Sequence, residues 1–94
     1  MAAGEMTSRA TRRFWDLFDG LPAPAQALAV KNYRLWLKNP AHPSLDFHRL
    51  RGGQDRYAVR VGDHYRALGR LEADTITWVW IGTHEEYNRL VRGE

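Results

Sequence analysis

The sequence predicts an α+β domain: a two-helix antiparallel hairpin packed on one face of a curved antiparallel β-sheet meander, followed by a short C-terminal helix. Three observations carry this. Apolar residues recur at helical spacing up to Lys38, the period changes from 3.6 to 2 after Pro43, and a capping signal follows the most strand-like stretch. A chain of 94 residues suits one domain. That domain is expected to span residues 1–94, with 1–6 flexible.

In the first helix Ser8 or Thr11 can cap, and Phe14, Leu17, Phe18 and Leu21 form the apolar face before Gly20 and Pro22 end it. The second helix opens at Pro22 and Pro24, where proline is tolerated. Its broad apolar face holds Ala25, Leu28, Ala29, Leu35 and Trp36, with Lys31, Arg34 and Lys38 opposite. Asn39-Pro40 stops it, because the residue before proline avoids helical geometry.

Phe47 to Arg51 reads as a short strand closed by Gly52-Gly53. Tyr57, Val59 and Val61 alternate with Ala58 and Arg60, the pattern of a strand with one buried face. Gly62-Asp63 turns the chain, and His64 to Arg70 runs back beside it. After a turn at Glu72-Ala73-Asp74, Thr75 to Ile81 is dense in β-branched and aromatic residues. Alternation would put Trp78 and Trp80 on one face with Ile76, as core. Thr83 and Glu86 then form a capping box, and a helix through Leu90 or Val91 follows.

Composition narrows the function. Four Trp, four Tyr and three Phe give the chain enough large apolar groups to fold. With no cysteine, disulfides and thiolate zinc sites are excluded. No apolar run is long enough to span a membrane, and the first six residues are too short and polar for a signal peptide. A cytoplasmic protein is therefore expected. Residues 48–70 carry six arginines against Asp55 and Asp63, whereas residues 71–94 are net acidic. Guanidinium is a planar fork suited to phosphates and carboxylates. A polyanionic partner is implied only if those arginines converge on one face.

An odd-length loop at Gly62-Asp63 would make Arg60 and Arg66 cross-strand neighbours, an unfavourable pairing that a bridging anion would offset. An even loop would put them on opposite faces; the shared face is the expected register. His84 sits in the first turn of the last helix, where the helix dipole disfavours imidazolium and keeps the ring available as a base. Tyr87 lies three residues on, on the same helical side. Both could equally be a tolerated first-turn residue and a core aromatic. His64 and His48 flank the basic strands as a turn and an exposed strand residue, with Arg49 and Arg51 beside them, while His42 between prolines reads as structural. The four histidines show no paired ligand spacing, so no metal and no cofactor are expected. RNA would supply its own nucleophile in the ribose 2′-OH, leaving a protein to move protons and steady charge.

Pro-x-His-Pro-Ser-Leu (Pro40–Leu45), Tyr-x-Val-Arg-Val-Gly-x-x-Tyr-Arg (Tyr57–Arg66) and Trp-Ile-Gly-Thr-His-x-x-Tyr (Trp80–Tyr87), in that order, resemble the RelE/ParE superfamily, toxins of bacterial type II toxin–antitoxin systems. The resemblance covers roughly residues 11–91 and implies a RelE-like fold and a cognate, often acidic, antitoxin. The RelE-like branch cuts messenger RNA on the ribosome without metal, using basic residues on the central hairpin; Arg60 and Arg66 match that pattern. His84 matches the His of HigB- and YafQ-like members, and Tyr87 their aromatic three residues later. Ala58 departs from the Tyr-basic-x-basic pattern of RelE proper, which leans the chain toward the His-using subgroup. The resemblance thus implies an mRNA endoribonuclease with Arg60 and Arg66 as phosphate clamps, His84 as base or acid and Tyr87 as orienter. His64, His48, Arg49 and Arg51 would be reserve acid–base or RNA-binding groups. The ParE branch shares the fold but poisons DNA gyrase, and other members act only as binding modules.

Overall fold

A computed structural model describes residues 7–52 and 55–92. The flexible stretch expected at residues 1–6, and Gly53 of the expected turn, lie outside the described residues. The elements run β1 (Thr7–Ala10), α1 (Arg12–Asp19), α2 (Ala23–Lys38), a single 3₁₀ turn (Pro43–Leu45), β2 (His48–Arg49), β3 (Arg56–Val61), β4 (Tyr65–Glu72), β5 (Thr75–Thr83) and α3 (His84–Arg92). The sheet order is β1-β5-β4-β3-β2, antiparallel except that β1 joins β5 in parallel.

Thr11 caps α1, its hydroxyl accepting from the Phe14 N–H at 3.1 Å. Ser8, the other candidate cap, lies instead in β1, opposite Ile76. That strand is unexpected from a polar stretch without alternation; its pairing is made with residues far along the chain. His42 caps the 3₁₀ turn by accepting from the Ser44 N–H, the structural role read from its prolines. The strand expected over Phe47 to Arg51 shrinks to two residues at the sheet edge.

Helices α1 and α2 cover one face of the sheet. There Trp36, Leu45, Val59, Val61, Ala67, Ile76, Trp78 and Ile81 form the main core, with Phe14, Phe18 and Leu28 packed against it. Trp36 meets Trp78 edge-on, their rings 5.3 Å apart. The opposite face carries a smaller cluster of Ala58, Leu68 and Trp80, on which Tyr87 of α3 packs. The third helix is thus on the far side of the sheet from the first two.

One register shift corrects the placement of the tryptophans. Leu68 pairs with Trp80, but the adjacent Gly69 pairs with Trp78, so Val79 is an extra residue in β5. Successive residues of a strand face opposite sides, and the bulge resets that alternation. Trp78 therefore stays with Ile76 under α1 and α2, whereas Trp80 turns to the other face. Its ring lies across Gly82: a Cβ at Gly82 would come within 2.5 Å of Trp80 Cζ2 and 2.7 Å of Glu86 Oε1. Gly82→Ala is expected to lower the free energy of unfolding by about 1–3 kcal/mol, the usual cost of overpacking a filled site, as measured by urea titration.

The capping box at the start of α3 forms as read. The Thr83 N–H and hydroxyl donate to Glu86 Oε1 at 2.9 and 3.1 Å, and the Glu86 N–H donates back to Thr83 Oγ1 at 3.1 Å. These bonds, the backbone one first, hold the Glu86 carboxyl below its ordinary value. The start of α3 is thereby fixed to the end of β5.

Candidate functional site

Val61 pairs with Tyr65, so the loop Gly62-Asp63-His64 is odd in length and Arg60 stands directly opposite Arg66. Gly62, at φ +67°, supplies the left-handed turn. Both side chains lie on the face away from α1 and α2, in one row with Gly82 of β5. Arg60 Nε donates to the Gly62 carbonyl at 3.3 Å, and Arg66 Nη1 donates to the same oxygen at 3.2 Å. Arg66 Nη1 also donates to the Tyr65 carbonyl at 2.8 Å. The two guanidiniums are therefore gathered at the tip of the hairpin. Arg60 is further paired with the exposed Asp63 carboxylate. An exposed pair of this kind is worth about 0.2–1 kcal/mol, less than a charge-assisted bond to phosphate, so an incoming anion can displace it.

The same end of the sheet holds the start of α3. Tyr65 pairs with Thr83, and the His84 N–H donates to the His64 carbonyl at 2.8 Å. His84 is exposed, and its Nε2 lies 3.4 Å from the Asn88 amide nitrogen.

Tyr87 rests on Ala58, Leu68 and Trp80, the row next to the arginine pair. Burial pushes its phenol above the ordinary tyrosine value, the Arg66 guanidinium pulls it back, and the Asp46 carboxylate adds to the rise. Tyr87 thus keeps its proton at neutral pH, as a hydrogen-bond donor within electrostatic reach of Arg66. His48 borders the same row, opposite Ala58, and its Nδ1 is 2.7 Å from the Asp46 carbonyl oxygen.

The fold accordingly sets Arg60 and Arg66 side by side on one face with Tyr87 beside Arg66, and joins the backbones of His64 and His84 at the same end of the sheet. It sets Arg49 and Arg51 apart. Both line a groove with Arg56 and Val91 at the β2 edge, and Arg49 Nη2 is 3.3 Å from Asp55 Oδ1. Four contributors were not read as site residues in the sequence. Gly82 and Trp80 make the floor, Asp63 is the resident anion on Arg60, and Asn88 is a partner for His84. Only Asn88 had a local signal, its i+4 spacing from His84. An apolar cleft of about 230 Å³, lined by Trp15, Tyr33, Trp36 and Trp78 among others, lies on the opposite side, between the helices and the sheet.

A family model described as the ParE-like toxin domain matches residues 27–89. Solved structures share the fold. The RelBE2 toxin–antitoxin complex of Mycobacterium tuberculosis superposes with a TM-score of 0.69 at 19% identity, covering 85% of this chain and 99% of that one. The RelB–RelE complex of Methanococcus jannaschii gives 0.69 at 16% identity, covering 86% and 95%. The isolated Escherichia coli RelE toxin gives 0.64 at 17% identity, covering 94% and 97%. No curated protein sequence matches significantly. With the family model spanning most of the chain and the RelE fold around it, this protein belongs to the RelE/ParE superfamily of toxins of type II toxin–antitoxin systems.

Proposed function

We propose that this toxin is a ribosome-associated mRNA endoribonuclease that works without a metal. The observation that carries the reading is the pair of guanidiniums sharing the Gly62 carbonyl at the sheet end where α3 begins. A neutral His84 takes the proton of a ribose 2′-OH. The 2′-oxygen bonds to the adjacent phosphorus, and the P–O5′ bond breaks as the 5′-oxygen accepts a proton from His64 or His48, the reserve candidates for this second transfer. The products are a 2′,3′-cyclic phosphate and a 5′-hydroxyl. Arg60 and Arg66 face the charge that builds on the phosphorane, where fixed donors count most. Tyr87, protonated and beside Arg66, orients the phosphate.

A cognate antitoxin is the second partner. The fold neighbours include RelE toxins solved with RelB, and the basic strands favour an acidic one. One other reading has an observation behind it: the matching family model is ParE-like, which favours a non-enzymatic gyrase inhibitor. Inducing the chain in cells and mapping RNA ends separates the two. Transcripts cut at codon boundaries with cyclic phosphate ends are expected. DNA breaks with intact transcripts would replace the nuclease by the gyrase reading, and undisturbed growth would leave a binding module.

A further inference from the structure

The β3–β4 hairpin carries a second arginine pair. Arg56 stands directly opposite Arg70, as Arg60 stands opposite Arg66, and all four residues occupy the same face of the same two strands. The pairs are four positions apart along the strands, about 13 Å at roughly 3.3 Å per residue, so one phosphate cannot serve both. Between them lies the Ala58–Leu68 row beneath Tyr87. Among the described residues, the ion pairs use Asp46, Asp55 and Asp63, and neither Arg56 nor Arg70 takes part in one. Glu72 shares their face, two residues past Arg70 and opposite Thr75, but does not cancel the pair. Arg56 also lines the β2-edge groove, of about 710 Å³, with Arg49 and Arg51.

Two like charges set side by side on a sheet oppose folding unless an anion joins them. We infer that Arg56 and Arg70, with the adjoining groove, form a second phosphate-binding position, taking the backbone of single-stranded RNA beyond the link held by Arg60 and Arg66. The two positions lie along one pair of strands, and a sugar–phosphate chain supplies anions at regular intervals along one line. Guanidinium is the group that grips each phosphate bidentately. The toxin would then hold its message at two separated points, the hairpin tip for chemistry and this pair for grip. The inference rests on the RNA-cleaving reading, and its test is independent of cleavage.

The probe is 2′-O-methylated single-stranded RNA of about a dozen nucleotides, which lacks the nucleophile and binds whether or not the protein cuts; its affinity is measured against salt concentration. For the double variant R56Q/R70Q, removal of two contacts should flatten the log–log salt dependence by about 1.4 and weaken binding about tenfold or more at low salt. The control K31Q/K38Q, on the outer face of α2, should match the wild type. The thermal midpoint of R56Q/R70Q in low-salt, phosphate-free buffer should equal or exceed that of the wild type, since like charges have been removed; a merely structural role predicts a fall. An unchanged salt slope overturns the inference. An unchanged slope with weakened antitoxin binding also overturns it and gives the pair to the protein partner. A wild type that binds this RNA with the expected salt slope but cuts no transcripts in cells would instead count against the nuclease chemistry alone.

Discussion

His84→Gln is expected to lower RNA cleavage by about 10²–10⁴-fold, the range that one positioned proton carrier contributes. Glutamine approximates the size of imidazole and can still hydrogen-bond Asn88, but it cannot take up and release a proton near neutral pH. The side chain is exposed and the start of α3 is held by Thr83 and Glu86, so the fold should be indifferent to the change. Stability within about 0.5 kcal/mol of the wild type, with antitoxin binding retained, is the expected accompaniment. Cleavage is read on programmed ribosomes with purified toxin, and growth arrest on induction should be relieved in parallel. Undiminished cleavage would remove His84 from the chemistry and move the proton transfer to His64 or His48.

Arg66→Gln should cost about 10²–10³-fold in kcat, the scale set by deleting one fixed donor from a site of developing charge. Arg66 is the better placed of the two guanidiniums. It is held only by backbone carbonyls, and Tyr87 senses its charge, whereas Arg60 is already partnered by Asp63. Arg60→Gln should therefore have the smaller effect. Because the charge on the phosphorane appears only at the transition state, the loss should fall on kcat more than on KM. Arg66→Lys should recover only part of the rate, since an ammonium cannot bridge two oxygens as a planar fork does. A loss confined to KM would make Arg66 a binding residue rather than a stabiliser of the reaction.

Much of the hairpin chemistry was legible because it is local. The turn signal Gly62-Asp63 is encoded by adjacent residues, and the three-residue loop that forms there sets Arg60 opposite Arg66. The capping box at Thr83 and Glu86 is likewise a matter of neighbours, and it locates His84 at the start of a helix. Trp80 was misplaced because the bulge at Val79 depends on how β4 and β5 fit together. Gly69 opens the space: a Cβ there would come within 2.9 Å of the Trp78 ring and 3.0 Å of Ile76 Cδ1. No alternation within Thr75–Ile81 announces that shift. The strand Thr7–Ala10 was missed for the same reason, since its partner lies at Thr75–Trp78.

By itself, then, the chain's order of residues determined the types of most elements and favoured the register that pairs Arg60 with Arg66, because turns, caps and alternation are set by side chains within a few positions of one another. Only the tertiary structure decided that α3 crosses to the far face, that Trp80 follows it there, and that Tyr87 comes within reach of Arg66 while Arg49 and Arg51 do not. Those outcomes depend on which surfaces fit against which once the strands have paired, and a packing choice between distant segments leaves no mark in the spacing of either one.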